Sequence, residues 1–239
     1  PNTKLMAMVK AFGYGSGAGE VARRLQQQQV DYLTVAYADE GVTLRKAGIH
    51  LPIMVMSADE YSFDAMVSYS LEPELFSFQI LKAFHQYITQ QGLQQYPVHI
   101  KLNTGMNRLG FDIAEIDQLA NWLSSQQALR VKSVLSHLAA SEEEKEDAFT
   151  QQQVDLFSRA CNTIESELGY VFIKHIANTA AIRRNPNWQF NMVRLGIGLY
   201  GGDNIHQANL PLQTVATLKT TVAQVRAIKA GETVSYNRS

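Results

Sequence analysis

Met6-Ala-Met-Val-Lys-Ala-Phe-Gly-Tyr-Gly-Ser-Gly17 carries an apolar run into one lysine and then into a turn punctuated by glycines. Residues 5–9 are too few for a core helix and read as a buried strand. The main alternative fold is an open, doubly wound sheet, which places G-x-G-x-x-G after its first strand; that spacing is absent here. Working outward, apolar runs recur at residues 32–36, 53–56, 71–76, 98–102, 131–135, 172–176 and 192–195, bounded by polar or glycine signals. Helical periodicity fills the intervals at 17–28, 39–46, 59–69, 77–90, 113–124 and 148–168, and a short seventh helix over 178–184 is stopped by Pro186. Asp39 and Asp112 are the expected N-caps. Eight strands alternating with helices predict an α/β protein, a (β/α)8 barrel.

The pattern changes after Gly201-Gly202. Residues 216–225 alternate, and Gly231 marks a turn before Thr233–Tyr236. The expected organisation is a barrel over 1–205, then a linker and the first strands of a truncated all-β domain over 206–239. Pro1 stands directly before a core strand with no initiator methionine, so the chain is read as part of a longer protein.

Apolar residues make up 46% and charged residues 18%, a globular composition. A net charge of −1 gives no electrostatic case for nucleic acid or acidic membranes. The single cysteine, Cys161, excludes an internal disulfide framework, fits a reducing cytoplasm and reads as a buried structural thiol. Glu142–Asp147 holds five acids and reads as a solvated helix start.

Barrel active sites sit at the carboxyl ends of the strands. Lys10 ends the first strand. The fifth gives Lys101-Leu-Asn-Thr-Gly-Met-Asn-Arg108, the sixth Ser136-His137, the seventh His175-Ile-Ala-Asn-Thr179, and the eighth carries Arg194 before Gly196-Ile197-Gly198. Desolvation disfavours the charged form of a strand-end lysine, and a neutral amine attacks aldehydes. Tyr14 and the glycines around it, with Asn178, Thr179, Gly196 and Ile197, offer donors for a phosphate. An aldehyde that carries a phosphate is pyridoxal phosphate (PLP). A buried arginine, Arg194, needs an acceptor, and a pyridine nitrogen would serve. The competing reading of Lys10 is a lysine snorkelling to water before a turn. Two others are a non-catalytic PLP-binding barrel and a metal-dependent hydrolase using His137, His175 and Lys101, although the first strand lacks the histidine pair such a hydrolase wants. No metal is expected. His50, His85, His99 and His206 read as surface or structural residues, and His175 as a packing or supporting one.

MVKAFGYGSG, YADEGVTLRKAG, HIKLNTGMNRLGF, SHLAASEE, HIANTAA, FNMVRLGIGLYG and AGETVSYN together resemble, in order and spacing, the bacterial alanine racemases of PLP fold-type III. FGYGSG and AYADEG are similar to the racemase half of fusions with a D-Ala-D-Ala-adding ligase. The resemblance implies interconversion of L- and D-alanine, with D-alanine supplied for peptidoglycan, in a cytoplasmic homodimer. It also leaves open a broader amino-acid racemase. It implies that Lys10 forms the internal aldimine and is one acid/base, and that Tyr236, from the second subunit, is the other. It assigns Tyr14, Thr179, Gly196 and Ile197 to the phosphate, Arg194 to the pyridine nitrogen, and His137 to a link from Arg194 to the tyrosine. Asn178 supports that network, Arg108 and Met106 lie near the substrate carboxylate, and Lys101 matches a lysine carbamylated in some members. Asn103 stands where an aspartate is usual, which changes the charge beside Lys101 and Arg108.

Overall fold

The computed structural model describes residues 3–202, 212–213, 217 and 219–233. Eight parallel strands lie in it: β1 (Lys4–Met8), β2 (Tyr32–Val35), β3 (Ile53–Val55), β4 (Glu72–Leu75), β5 (Tyr96–Asn103), β6 (Leu129–Leu135), β7 (Ile173–His175) and β8 (Met192–Leu195). Helices α1 (Ala18–Gln27), α2 (Ala38–Lys46), α3 (Phe63–Ser68), α4 (Phe78–Gln90), α5 (Ile116–Ser124), α6 (Asp147–Leu168) and α7 (Thr179–Arg184) follow the first seven in turn. The ladder runs β7-β6-β5-β4-β3-β2-β1-β8. Single bonds join β7 to β8: Asn191 N–H donates to the Lys174 carbonyl at 3.1 Å, and Arg194 N–H to that of Ala177 at 3.0 Å. The result is the expected (β/α)8 barrel. A two-residue strand, Phe111–Asp112, pairs with the end of β5 and had no apolar signal of its own.

The period of two along each strand sorts side chains between two layers. Leu33, Val35, Ile53, Val55, Ile100 and Val134 face outward and pack under helix residues such as Leu25, Leu119, Phe157 and Cys161. Met6, Tyr32, Met54, Leu135 and Met192 form a separate inner cluster. Alternate positions also bury Thr34, Glu74, His99, Lys101, Ser133, His175 and Arg194. Polar groups this deep are costly unless paired, and the pairing found among them organises the site.

Two local expectations are refined. The cap of α2 is Tyr37, and Asp39 falls inside the first turn, because Glu40 reaches back to the Tyr37 N–H at 3.2 Å and the Ala36 N–H at 2.6 Å. Asp112 does cap the turn that leads into α5, with Glu115 accepting its N–H at 2.8 Å. Cys161 is buried, and burial pushes its thiol up. Residues 144–146 form the turn that starts α6, and Asp147 of that acidic run pairs with Arg184 at 2.9 Å. Gly231 turns the chain, with the Glu232 N–H on the Lys229 carbonyl at 3.0 Å. The alternating stretch 216–225 forms no strand at its described residues, which are exposed. No helix among the described residues is long and apolar enough to cross a membrane.

Candidate active site

Lys10 stands just past β1, and the chain then coils the wrong way. Ala11, Phe12, Gly13 and Tyr14 have φ of 51°, 55°, 63° and 52°, a left-handed helical turn. Each non-glycine residue there costs roughly 1–2 kcal/mol, so the turn persists only because its surroundings over-determine it. Its own bonds run from Gly13 N–H to Val9 and from Gly15 N–H to Ala11, both at 3.0 Å. The external tie is Glu40, whose other oxygen accepts the Ala11 N–H at 2.6 Å. One carboxylate thus locks the residue after Lys10 to the start of α2.

Lys10 opens onto a cavity of about 550 Å³, within the range of small-molecule sites. Lys10, Tyr14, Lys101, Arg108, His137, Asn178, Thr179, Arg194, Gly196 and Ile197 all line it. Met106 does not, and Tyr236 lies outside the described residues. At one end, Thr179 Oγ1 accepts the N–H groups of Gly196 at 3.1 Å and Gly198 at 3.4 Å. A Cβ on Gly198 would stand 2.6 Å from Thr179 Cγ2, and one on Gly196 3.5 Å from the Tyr14 hydroxyl. The missing side chains therefore leave a polar cradle between a threonine, a tyrosine and backbone N–H groups. Tyr14 is stacked on Tyr200 with centroids 4.5 Å apart, and Tyr200 donates to the Met8 carbonyl at 2.8 Å. Burial raises the Tyr14 hydroxyl, which keeps its proton and remains a donor.

A chain of hydrogen bonds runs from Arg194 across the barrel interior to Glu72 on β4. Arg194 Nη1 meets His175 Nδ1 at 2.9 Å, His175 Nε2 meets Ser133 Oγ at 2.8 Å, and Ser133 Oγ meets His99 Nδ1 at 2.6 Å. His99 Nε2 ends on Glu72 at 2.8 Å, where Tyr32 also donates at 3.2 Å. An arginine only donates, and that fixes every proton along the line. His175 accepts at Nδ1 and donates from Nε2; Ser133 then donates to His99, and His99 to Glu72. Arg194 Nη2 also donates to His137 Nδ1 at 3.2 Å and to the Ser136 carbonyl at 2.6 Å. These bonds engage both terminal nitrogens of Arg194 and leave Nε–H over. The guanidinium thus has protein acceptors before any ligand arrives. Burial lowers it to about 10, so it stays charged at neutral pH.

The same arrangement keeps His137 and His175 neutral. Burial and the Arg194 charge lower His137 to about 3, and the same two causes hold His175 well below its ordinary value of 6.5. In the unfolded chain both bind a proton near pH 6.5, and in the folded chain they do not. The unfolded state therefore binds more protons below that pH, and stability falls as pH drops from about 6.5 toward 3. The expected slope is about 1.4 kcal/mol per pH unit for each histidine. Urea unfolding between about pH 7 and 5 should show it, and His137→Gln should make it shallower. An unchanged slope in the variant would contradict the assignment.

With this geometry in view, the chain can be set beside known proteins. A family model described as alanine racemase, N-terminal domain, matches residues 1–204. The chain belongs to the alanine racemase family. Alanine racemase from Synechocystis sp. is 35% identical over 245 residues, covering 99% of this chain and 64% of that protein. The structure of alanine racemase from Clostridium difficile in complex with cycloserine has a TM-score of 0.83 at 30% identity, over 89% of this chain and 59% of its own. Alanine racemase from Bartonella henselae, described with covalently bound pyridoxal phosphate, gives 0.78 at 25% identity, over 89% and 60%. The chain thus spans somewhat under two thirds of the length of these relatives.

Beyond the motifs shared with the alanine racemase family, several residues carry the site unannounced. Asn178 caps α7 with its side-chain oxygen, which accepts from Ala181 N–H at 3.0 Å and Ser141 Oγ at 2.8 Å. Glu40, Glu72, Ser133 and His99 were not singled out for the site, and His99 is wholly buried. Glu74 was not either; it sits 2.9 Å from Lys101 Nζ. The available signal was Glu72-Pro-Glu74 inside an apolar strand, two acids facing the same way.

Proposed function

We propose that this chain is the PLP-binding part of an enzyme that interconverts L- and D-alanine, with Lys10 and Tyr236 as the two proton carriers. The observation that carries the reading is the convergence on one cavity of a lysine amine, an anion cradle at Thr179, Gly196 and Ile197, and a buried guanidinium. These residues fit PLP: the cradle and Tyr14 hydroxyl suit its phosphate, and Arg194 Nε–H suits its ring nitrogen. When bound, PLP supplies the electron sink that acidifies the alanine Cα. Four cations, Lys10, Lys101, Arg108 and Arg194, against two carboxylates, Glu74 and Glu142, favour an anionic ligand.

A single base tends to return a proton to the face it left, so inversion needs a carrier on each side. Lys10 Nζ holds the proton on one face and the Tyr236 hydroxyl on the other. Arg194 donates without giving up its proton, so a ring nitrogen opposite it stays an acceptor. Arg108 receives the substrate carboxylate. By family analogy the active form is a cytoplasmic homodimer, with Tyr236 of the partner subunit completing each site, and the D-alanine goes to peptidoglycan. The family match ends at residue 204, which supports a domain boundary near 205.

Incubation of the PLP-loaded protein with either alanine enantiomer in deuterated water tests this. The expected result is deuterium at Cα together with formation of the opposite enantiomer. Alanine that stays undeuterated and optically pure while PLP is bound would overturn it and favour a non-catalytic carrier.

A further inference from the structure

Acids on β4 and bases on β5 form the same pair twice. Glu74 lies directly across from His99 in the ladder. Yet Glu72 bonds His99 and Glu74 bonds Lys101, each acid reaching two residues further along β5. An offset of two keeps both partners on the inner face. The lower pair ends the hydrogen-bond chain from Arg194. The upper pair faces the cavity. Lys101 Nζ is 2.9 Å from Glu74 Oε1, with the side chains 10% and 1% exposed. Glu74 Oε2 is buried and accepts no hydrogen bond among the described residues. Lys10, Arg108 and Arg194 line the same cavity.

We propose that Glu74 is a positioning residue that holds Lys101 as an unmodified ammonium. This chain then carries a fixed carboxylate beside a cation where a carbamylated lysine would carry one anion. Carbamylation requires the ammonium to release a proton, the freed nitrogen to form an N–C bond with carbon dioxide, and a second proton to leave. The product turns the positive partner of a buried ion pair into a negative one, set against Glu74 with little water between them. Glu74 already supplies the anion, and its free oxygen stays available as an acceptor for the cations around it. Removing the carboxylate reverses the balance: Lys10, Arg108 and Arg194 then favour an anion on Lys101.

The reading of the cavity as a racemase site enters only in what the pair is for; the chemical state of Lys101 can be measured without cofactor or turnover, so its test and the deuterium experiment fail separately. The purified protein is equilibrated with 13C-labelled bicarbonate and its carbonyl region recorded by 13C NMR. The wild type should show no protein-bound carbamate. Glu74→Gln and Glu74→Thr, each checked for folding by circular dichroism, should show one, and adding Lys101→Arg should remove it. A wild-type carbamate resonance that Lys101→Arg abolishes would overturn the proposal. So would the absence of carbamate from the folded Glu74 variants.

Discussion

Lys10→Ala is expected to leave the barrel intact and to reduce alanine interconversion by roughly a thousandfold or more, the scale set by removing a proton carrier. The two halves of this expectation come from different parts of the structure. The ammonium of Lys10 makes no hydrogen bond or ion pair among the described residues, so its removal orphans no buried partner, and a stability change within about 1 kcal/mol is expected. The left-handed turn beyond it is held by Val9, Ala11 and Glu40 through backbone N–H groups, none of which uses the lysine side chain. What the variant loses is, among the described residues, the one cavity-lining amine apart from Lys101, and Lys101 is engaged by Glu74. Racemisation assays and urea midpoints on the same preparations check both halves. A variant that unfolds, or one that racemises at the wild-type rate, would be the contrary result.

Arg194→Lys should behave in the opposite way, retaining a cation and losing the fold's stability by about 3–5 kcal/mol, the usual consequence of breaking a buried charged network. Arg194 is 4% exposed. Its two terminal nitrogens hold a fan of acceptors at the ends of β6 and β7: His175 Nδ1 and its carbonyl, the Ser136 and Ile176 carbonyls, and His137 Nδ1. An ammonium is a point charge with three donors and cannot span that fan. At least two buried acceptors lose their donor, at about 1–3 kcal/mol apiece. Loss of the His175 bond also releases the constraint that orients Ser133 and His99 down to Glu72. β7 and β8 are joined by few backbone bonds, so the arginine is a principal tie across that seam as well. Urea denaturation with an unchanged m value should show the lowered midpoint. An unfolding free energy within about 0.5 kcal/mol of wild type would show that the hydrogen-bond chain does not hold the barrel together.

The fold was readable because parallel barrel strands are buried on both faces and stand out as short apolar runs. Counting those runs was enough to put Lys10, His137, Thr179, Arg194 and Gly196 at one rim. The conformation around Lys10 was not readable. Gly13, Gly15 and Gly17 announce a turn, but the left-handed conformations of Ala11, Phe12 and Tyr14 depend on Glu40, which lies 29 residues further along and meets Ala11 only in the fold. The same carboxylate moved the α2 cap from Asp39 to Tyr37. The inner acids were visible as letters but not as partners. Period two places Glu72 and Glu74 on one face, yet which bases they meet depends on the β4–β5 register, and a slip of one residue would turn them outward. Asn178 was legible only in part: its place at the cavity rim followed from the strand count, while its cap on the start of α7 and its bond to Ser141 emerged from the fold.

The central claim is that Lys10 is the residue that takes PLP. Borohydride reduction of the PLP-loaded protein, followed by proteolysis and mass spectrometry, tests it most directly. One modified peptide is expected, carrying the cofactor on Lys10. Attachment at Lys101, or bound PLP that borohydride fixes to no lysine, would contradict it.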